Sequence, residues 1–334
     1  MTAVVPPVVA AARGLVDPVL REAVARLDPM TAGVAAYHFG WTSQGRPAGG
    51  KALRPALAFL SARAAGGSDE ECGPAAAAVE LVHAFSLLHD DIMDGDRMRR
   101  HRPAAWTVFG RSEAILAGDA LLGLAAELLV ERGSPGHLAA AHALSRAVRG
   151  LIAGQALDLE FERRDDVTLG ECLRMATRKT GDLLACACSI GAMAAGAPPA
   201  LVSALAAFGT ETGLAFQLAD DLLGIWGDPQ VTGKAVLSDL RARKKSLPVV
   251  AALTSGTEAG DRLAELLARP GPLPEDVLRE AAALVDQAGG RTWAEQEAKH
   301  RLDAAGRHLA DADMPPGVRA QFLDIAGFIT SRDH

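Results

Sequence analysis

Apolar residues recur at helical spacing along most of the chain. In the stretch Val8–Leu27, for example, Leu20 and Val24 lie one turn apart, which predicts an amphipathic helix. A Gly/Pro-rich loop is expected over Gly40–Gly50, and Pro55 suits the first turn of the helix that follows it. The same pattern predicts further helices at Pro74–Asp94, Glu113–Arg132, His137–Glu162, Leu169–Met193, Leu201–Trp226, Asp261–Ala268, Glu275–Gln287, Trp293–Ala310 and Val318–Ile329.

The composition favours an all-α fold. Alanine is abundant, aromatic residues make up only 4% of the chain, and strand-like alternation of β-branched residues is scarce. A chain of 334 residues can bury a substantial core as one large domain. Because no linker, low-complexity tract or short repeat interrupts the helices, we expect residues 1–334 to form a single helical domain.

Charge and cysteine usage narrow the classes of protein. The net charge of −7 disfavours nucleic acid as a partner. The uncharged stretch Leu183–Thr210 is long enough to span a bilayer, but it is rich in Ala and Gly, and Pro198-Pro199 divides it, so two buried helices explain it better. The N-terminus shows no signal pattern, and the four cysteines have no zinc-like spacing. We therefore expect a soluble cytoplasmic protein with free thiols.

Two acidic motifs follow apolar helical runs. In Leu87–Asp94, Asp90 and Asp94 lie one turn apart on the same helix face, and no Lys or Arg falls between Arg63 and Arg97 to pair with them. Carboxylates without clustered His or Cys favour Mg²⁺, which is commonly bound by one or two carboxylates together with substrate phosphates. Taken alone, such a motif is equally compatible with a solvated helix end.

A second copy of the pattern favours the metal site. The run Phe216–Leu223 again ends an apolar helix in paired acids, Asp220 and Asp221. Two such helices that face each other would hold several Mg²⁺ ions around one diphosphate. The joint pattern therefore predicts a diphosphate-binding enzyme.

Clusters of cations stand out against the acidic background. Lys51 and Arg54 flank a predicted helix start, where free N–H groups also favour an anion. The segment Asp96–Pro103 carries four arginines directly after the first acidic motif, which suggests a diphosphate clamp. For both clusters the alternative is a set of solvated surface charges. Further polar positions follow along the chain at Gln155 and Asp158, which either face a cavity or cap helix packing, at Arg178–Gly181, where Gly181 weakens a helix, at Gly233-Lys234 and at Arg241–Lys245.

These motifs together resemble the trans-isoprenyl diphosphate synthases, the family of farnesyl and geranylgeranyl diphosphate synthases. The resemblance runs from Gly49 to Val250 and includes, in order, GGKALRP, DDIMD with two arginines after it, GQALDL, a Lys-Thr pair, FQLADD, GK and KKS. It implies an isoprenoid-synthase-type helical bundle around a central cavity, and a homodimer.

The resemblance also implies a role for each matching residue. Metal binding falls to Asp90, Asp94 and Asp220, with three Mg²⁺ ions per active site, and the catalytic set is Asp90, Asp91, Asp94, Asp220, Asp221 and Lys179. The residues that would bind the allylic diphosphate are Arg99, Lys179, Thr180, Gln217, Lys234 and Lys244. Those that would bind isopentenyl diphosphate are Lys51, Arg54, His83 and Arg100; without the resemblance, His83 reads as an ordinary core histidine.

The implied reaction is a five-carbon chain extension. Mg²⁺ and the cations neutralise the allylic diphosphate so that its C–O bond ionises, and the alkene of isopentenyl diphosphate attacks the resulting cation. The released diphosphate then takes up the proton. Apolar helix faces are expected to keep water away from the cation.

The second acidic motif departs from the family pattern, because Gly224 stands where a third Asp is usual. Asp228, four residues later, is a candidate for compensation, although it precedes Pro229 and could lie outside the helix. We expect the protein to be active.

Product length is expected to depend on Phe85 and Ser86, which lie five and four positions before Asp90. In the family, an aromatic residue beside a small one at these positions is similar to short-chain enzymes that make C20 and sometimes C15 products. We expect geranylgeranyl diphosphate (C20), with farnesyl (C15) and geranylfarnesyl (C25) diphosphate as alternatives. A further alternative is that Phe85 is simply a core residue.

Two rival functions remain open from the sequence. A class I terpene cyclase also uses an all-helical fold, but its second motif usually carries a Ser and a Glu that Asp220–Asp228 lacks. A non-catalytic subunit of a heteromeric synthase would be expected to have lost metal carboxylates, whereas this chain retains the first motif whole.

Overall fold

A computed structural model describes residues 5–42, 50, 52–228 and 236–330. Within these ranges the chain is almost entirely helical, which confirms the all-α prediction. A two-stranded ribbon, β1 (Met98–Arg99) and β2 (Arg102–Pro103), is the exception. The helices are α1 (Pro7–Val24), α2 (Pro29–His38), α3 (Leu53–Ala64), α4 (Asp69–Met93), α5 (Ala105–Phe109), α6 (Arg111–Val130), α7 (Pro135–Phe161), α8 (Leu169–Ala176), α9 (Asp182–Ala194), α10 (Pro199–Trp226), α11 (Ser238–Arg241), α12 (Leu247–Leu253), α13 (Glu258–Leu267), α14 (Glu275–Gln287), α15 (Gly290–Ala310) and α16 (Pro316–Thr330).

The first helices differ from the predicted bounds because capping residues override the apolar pattern. Helix α1 ends at Val24, and Asp28 starts a new helix, α2, by accepting hydrogen bonds from the N–H groups of Met30 and Thr31 at 3.0 and 3.2 Å. Helix α2 was not predicted from the sequence. The predicted start of the fourth helix at Pro74 is wrong, because Ser68 caps a helix that begins at Asp69.

The predicted helix Leu169–Met193 is interrupted by a π-helical turn, Thr177–Gly181, between α8 and α9. The turn includes Gly181, where the sequence predicted a weak point. The predicted division at Pro198-Pro199 is confirmed, since α9 ends at Ala194 and α10 begins at Pro199.

The two helices that carry the acidic motifs lie within the bundle. Helix α4 packs on α3, α6 and α9, and α10 packs on α9 and α15. Leu81, Leu88, Leu205 and Phe208 are fully buried or nearly so in the main core. A smaller cluster of α11–α14 packs around Ile225, near the C-terminal end of α10.

Among the described residues, α10 is also the helix that is long and apolar enough to cross a membrane. Half of its most apolar window is buried inside the protein, and its last two turns carry Asp220 and Asp221. These properties fit a core helix. The four cysteines are buried free thiols, as the sequence predicted.

Candidate active site

The first acidic motif occupies the last turn of α4. Asp90 is partly exposed and Asp94 is exposed, whereas Asp91 retains only 1% of its accessible surface. Successive helical residues are rotated by about 100°, so Asp90 and Asp94 share a face from which Asp91 points away. The first motif therefore presents two carboxylates outward and keeps one inside.

Arg99 holds the buried carboxylate. Its Nε donates to both oxygens of Asp91 at 2.7 and 2.9 Å, and its Nη2 lies 2.6 Å from Oδ1. The β1–β2 ribbon presents Arg99 in this position. Arg100 and His101 form its turn with φ of 51° and 61°, a left-handed conformation that matches the twist of a tight hairpin but is unfavourable for residues with a side chain.

The second acidic motif repeats this division on α10. Asp220 is exposed and Asp221 is 2% exposed. The carboxylate of Asp221 accepts hydrogen bonds from Gln217 Nε2 at 2.8 Å and from the backbone N–H of Leu247 at 2.9 Å. Lys244 Nζ lies 3.8 Å from Oδ1 of Asp221.

Polar residues on neighbouring helices extend the hydrogen-bond network around Asp221. Gln217 also accepts a hydrogen bond from the Thr180 hydroxyl at 2.7 Å. Lys179 Nζ lies 2.6 Å from Oδ2 of Asp158, so the GQALDL motif uses its acid to bind the lysine of the Lys-Thr pair. The amide of Gln155 is buried and has no protein partner.

Two glycines allow the π-helical turn that carries Lys179 and Thr180 to pack closely. A Cβ built on Gly154 of α7 would lie 2.7 Å from the Cα of Lys179. On the other side, a Cβ on Gly213 of α10 would lie 2.8 Å from the Cα of Gly181. Real Cβ atoms do not approach backbone this closely, so a side chain at either glycine would displace the turn.

The charges show that the two motifs face a common space. Burial raises the pKa of Asp90 to about 6; Asp94 and Asp158 add to this effect, and Lys179 opposes it. Burial would lower the pKa of Lys244, but carboxylates from both sides, including Asp221, Asp239, Asp158 and Asp220, raise it. Lys244 also acts on Asp94. Lys244 therefore interacts with acids of both α4 and α10, whereas Lys179 interacts with the acids of α4 and with Asp158.

A second group of cations lies beside α4, about three turns before its end. Burial lowers the pKa of Arg54 to about 10, and the carboxylate of Glu80 opposes this shift. Burial, together with the nearby Arg54 and Arg100, lowers the pKa of His83 well below its usual value. The Nε atom of Arg54 is buried without a protein partner. This pocket therefore contains two guanidinium groups, a neutral imidazole and one buried acid.

Gly50 connects this pocket to the ribbon and to α1. Arg13 donates to the carbonyl oxygen of Gly50, and a Cβ on Gly50 would lie 2.7 Å from Nη2 of Arg100. The guanidinium of Arg100 consequently lies against Gly50 in the space that a side chain would need.

Phe85 and Ser86, the two residues expected to set product length, are buried on α4. Phe85 is 6% exposed, and its ring packs edge-on against His89 with centroids 4.8 Å apart. His89 Nε2 in turn lies 3.1 Å from the carbonyl oxygen of Ile115 on α6. The Ser86 hydroxyl donates to the carbonyl of His83 at 2.9 Å.

The structure brings most of the sequence-predicted residues into these two pockets. Lys51 and Lys234 lie outside the described residues. Asp228 follows the end of α10 and is exposed. Sequence analysis did not identify Arg13, His38 or Glu80; burial and the surrounding arginines lower the pKa of His38 to about 3. The available signal for Glu80 was that it is the only acid in the apolar part of α4, three residues before His83.

The side chains of this site suit a hard cation whose coordination sphere is completed by oxygens of a bound ligand. Among the side chains of this space that are potential metal ligands, the acidic ones are carboxylates, and thiols and clustered imidazoles are absent from it among the described residues. No group of three acidic, His or Cys side chains is already arranged for a metal within the described ranges. Mg²⁺ accepts such a site, because it retains waters and takes further oxygens from substrate phosphates.

Comparison with known proteins shows which enzymes the chain is similar to. The family model "Polyprenyl synthetase" matches residues 43–285. The chain is 48% identical to a (2E,6E)-farnesyl diphosphate synthase of Mycobacterium tuberculosis, with 98% of this chain and 93% of the relative covered. It is 44% identical to a geranylgeranyl diphosphate synthase of the same organism, over 92% and 90% of the two chains. The crystal structure of a polyprenyl synthetase from Streptomyces coelicolor A3(2) superposes with a TM-score of 0.91 at 52% identity, covering 96% and 98%.

Proposed function

The chain belongs to the polyprenyl synthetase family and is a short-chain trans-prenyl diphosphate synthase; we propose that its main product is geranylgeranyl diphosphate. The observation that supports its chemistry is that Lys244 interacts with Asp94 on α4 and with Asp220 on α10, while Lys179 interacts with Asp90 and Asp94. We propose that the allylic diphosphate binds in this space.

Members of this family depend on Mg²⁺ in general. We propose that Asp90, Asp94 and Asp220 hold the metal, with three ions per site. When bound, Mg²⁺ neutralises the leaving diphosphate and favours ionisation of the C–O bond. Asp91 and Asp221 support these ligands from inside the protein, since their own oxygens are engaged by Arg99 and by Gln217 and Leu247.

Lys179, Thr180, Gln217 and Lys244 line the same space and are proposed to bind the allylic diphosphate together with Lys234. Arg99 is proposed to contribute from its position on Asp91. Fixed N–H and O–H donors and cations stabilise negative charge as it develops on the leaving group, and this is usually the largest contribution to catalysis.

Isopentenyl diphosphate is proposed to bind at Arg54, His83 and Arg100, with Lys51. The buried Nε of Arg54 needs an acceptor, and a diphosphate oxygen would supply one. A neutral His83 donates a hydrogen bond there without adding charge. Holding the two diphosphates in neighbouring pockets places the alkene close to the allylic carbon, so that the coupling becomes effectively unimolecular.

The C20 proposal depends on Phe85. Five residues of helix place its Cα about 7.5 Å along α4 from that of Asp90. The ring is held by His89, which itself contacts α6, so it forms a supported wall rather than a mobile gate. A bulky wall this near the metal-binding end favours short products.

Farnesyl diphosphate is the second candidate product, and the 48% identical farnesyl diphosphate synthase favours it. The cyclase and non-catalytic alternatives are less well supported. A cyclase does not need the second anion pocket, which is formed by Arg54, Glu80, His83 and Arg100. A non-catalytic subunit would be expected to have lost metal-binding carboxylates, whereas this chain has them on both helices.

We also propose a homodimer in the cytoplasm. Apolar side chains are exposed along α5 and α6, with Phe109, Ile115 and Leu116 retaining 38, 40 and 52% of their surface. A second copy of the chain would cover them. Light scattering during size-exclusion chromatography would give the mass directly, and a monomer at micromolar concentration would rule the dimer out.

Product analysis tests the proposed function. The purified chain is incubated with Mg²⁺, isopentenyl diphosphate and either the C5, C10 or C15 allylic diphosphate, and the dephosphorylated products are sized by gas chromatography and mass spectrometry. A C20 alcohol from all three primers is expected. A C15 alcohol would select the second candidate, a cyclised hydrocarbon the cyclase, and no product despite diphosphate binding the non-catalytic subunit.

Phe85→Ala tests whether the ring of Phe85 limits the length of the product. Removing the ring opens the space beyond it, so products longer than those of the wild type are expected in the same assay. Phe328→Ala on α16 deletes an aromatic ring of the same size elsewhere and serves as the control. If both variants give the wild-type product, Phe85 does not limit chain length.

A further inference from the structure

Gly224 leaves α10 without the third carboxylate that α4 has. On α4, Asp94 follows Asp90 by one turn and shares its face. On α10 the equivalent position after Asp220 is Gly224, which has no side chain. The space that a side chain at residue 224 would occupy is nevertheless filled.

The carboxylate of Asp239 occupies this space. A Cβ built on Gly224 would lie 2.6 Å from Oδ1 of Asp239, closer than a real Cβ approaches any atom. Asp239 belongs to α11, fifteen residues further along the chain. Its carboxylate therefore reaches the face of α10 that also carries Asp220, and it does so only because residue 224 is glycine.

Hydrogen bonds attach the start of α11 to the end of α10. The Leu237 N–H donates to the carbonyl of Ile225 at 3.3 Å, and the Ser238 hydroxyl donates to the carbonyl of Gly224 at 3.2 Å. Leu237 has a left-handed backbone, with φ of 62°, which turns the chain into α11. The N–H of Lys244 donates to the carbonyl of Asp239 at 2.8 Å, so the lysine of the site is attached to the same residue.

The electrostatic environment agrees with this placement. Asp239 acts on Asp221 of the second motif and on Lys244, which lies beside Asp221. Asp228, the residue that the sequence suggested as a substitute, instead lies beyond the end of α10 and is exposed.

We propose that Asp239 supplies to the Mg²⁺–diphosphate site the third carboxylate that α10 lacks at Gly224. This inference rests on the proposed function. Asp239 helps to hold the Mg²⁺ ion that Asp220 binds. Its carboxylate reaches this position only because Gly224 has no side chain. The second motif is then completed from a different segment of the chain.

The test measures Mg²⁺ binding by calorimetry in the presence of inorganic diphosphate, with circular dichroism to confirm that each variant is folded. Asp239→Ala is expected to weaken Mg²⁺ binding about 10–100-fold, the usual effect of removing a residue that supports a metal site. Asp228→Ala, which removes a carboxylate from the same region, is expected to leave it unchanged. Equal affinities for wild type and Asp239→Ala would overturn the proposal.

Two further variants make the test independent of folding defects. In Asp239→Ala/Gly224→Asp the carboxylate returns from α10 itself, and Mg²⁺ affinity is expected to recover by at least half of the loss on a logarithmic scale. Gly224→Ala is expected to weaken Mg²⁺ binding by displacing Asp239, even though alanine favours a helix more than glycine does. No recovery in the double variant, with the protein folded, contradicts the proposal.

The wild-type protein separates this inference from the proposed function. If the wild type binds no Mg²⁺ with diphosphate and makes no product, both are wrong. If the wild type binds Mg²⁺ and makes product, and Asp239→Ala binds Mg²⁺ with the same affinity, only the proposed role of Asp239 is wrong.

Discussion

The two acidic motifs divide their carboxylates in the same way but are held by different means. In each, one aspartate is buried and another faces the common space: Asp91 and Asp90 on α4, and Asp221 and Asp220 on α10. Asp91 is held by one bidentate arginine that follows it by eight residues. Asp221 is held by a glutamine of its own helix and by a backbone N–H from α12.

The difference shows that the buried aspartate of the first motif is held by a residue close to it in the sequence. The buried aspartate of the second motif is held by residues from several segments of the chain. The hydrogen bonds that hold the buried Asp91 come from Arg99, within the same short stretch of chain. The surroundings of Asp220 and Asp221 come from α10, α11 and α12, together with Lys244. Local sequence therefore contains the partner of the buried acid in the first motif but only some of the partners in the second.

The largest expected effect comes from removing the exposed aspartate of either motif. Asp90→Asn and Asp220→Asn each remove a proposed metal ligand, and we expect kcat to fall roughly 10²–10³-fold, the range for losing one preorganised electrostatic group. Steady-state assays with saturating substrates and a Mg²⁺ titration measure this. Asp324→Asn, the same change at an exposed position of α16, is the control. Wild-type kcat in Asp220→Asn alone would mean that the two motifs are not equivalent.

The buried aspartates are expected to give smaller effects, on folding. Asp91→Ala leaves the guanidinium of Arg99 without its carboxylate. We expect the free energy of unfolding in urea to fall by about 2–3 kcal/mol, below the full range for a buried pair because Arg99 keeps 26% of its side-chain exposure. Asp221→Ala is expected to cost about 1–3 kcal/mol, since it leaves the buried N–H of Leu247 without an acceptor.

Second substitutions distinguish the two causes. Adding Arg99→Met to Asp91→Ala removes the isolated charge and is expected to restore most of the lost stability. Adding Lys244→Met to Asp221→Ala is expected to restore little, because the group left unsatisfied is a backbone N–H. Equal recovery in both pairs would show that the motifs are held in the same way after all.

The smallest expected effect is that of Gln217→Leu. It removes the amide that joins Thr180 to Asp221, and we expect a loss of about 1 kcal/mol in unfolding free energy, the net value of an ordinary hydrogen bond. Gln321→Leu, at an exposed position of α16, is the matched control. No change in Gln217→Leu would mean that the N–H of Leu247 alone is enough to hold Asp221.

Local sequence patterns predicted those parts of the fold that depend on neighbouring residues. Helical periodicity located the long helices, and the proline pair located the break before α10. The pattern placed the start of α4 at Pro74, whereas the hydrogen bond to the side chain of Ser68 starts that helix earlier. The prediction of one domain over residues 1–334 remains a prediction, as do the residue roles.

Parts of the site that depend on distant packing could not be predicted. Arg13, Glu80 and Asp239 belong to three separate helices, and nothing in the local sequence of each shows what it faces. The distance between Gly224 and Asp239 is a property of the folded chain, so the missing carboxylate of the second motif could be noticed from the sequence but not its replacement.

The π-helical turn makes the chain sensitive to the number of residues between α8 and α9. Such a turn accommodates one residue more than a regular helix, and each residue of a helix turns the next by about 100°. Deleting a single residue there would restore a regular helix and rotate Lys179 and Thr180 away from Asp158 and Gln217. It would also turn every apolar residue of α9 away from its present neighbours. Substitutions are thus tolerated more readily in this segment than a change in length, and an alignment gap here would mark a protein with a different arrangement of its diphosphate site.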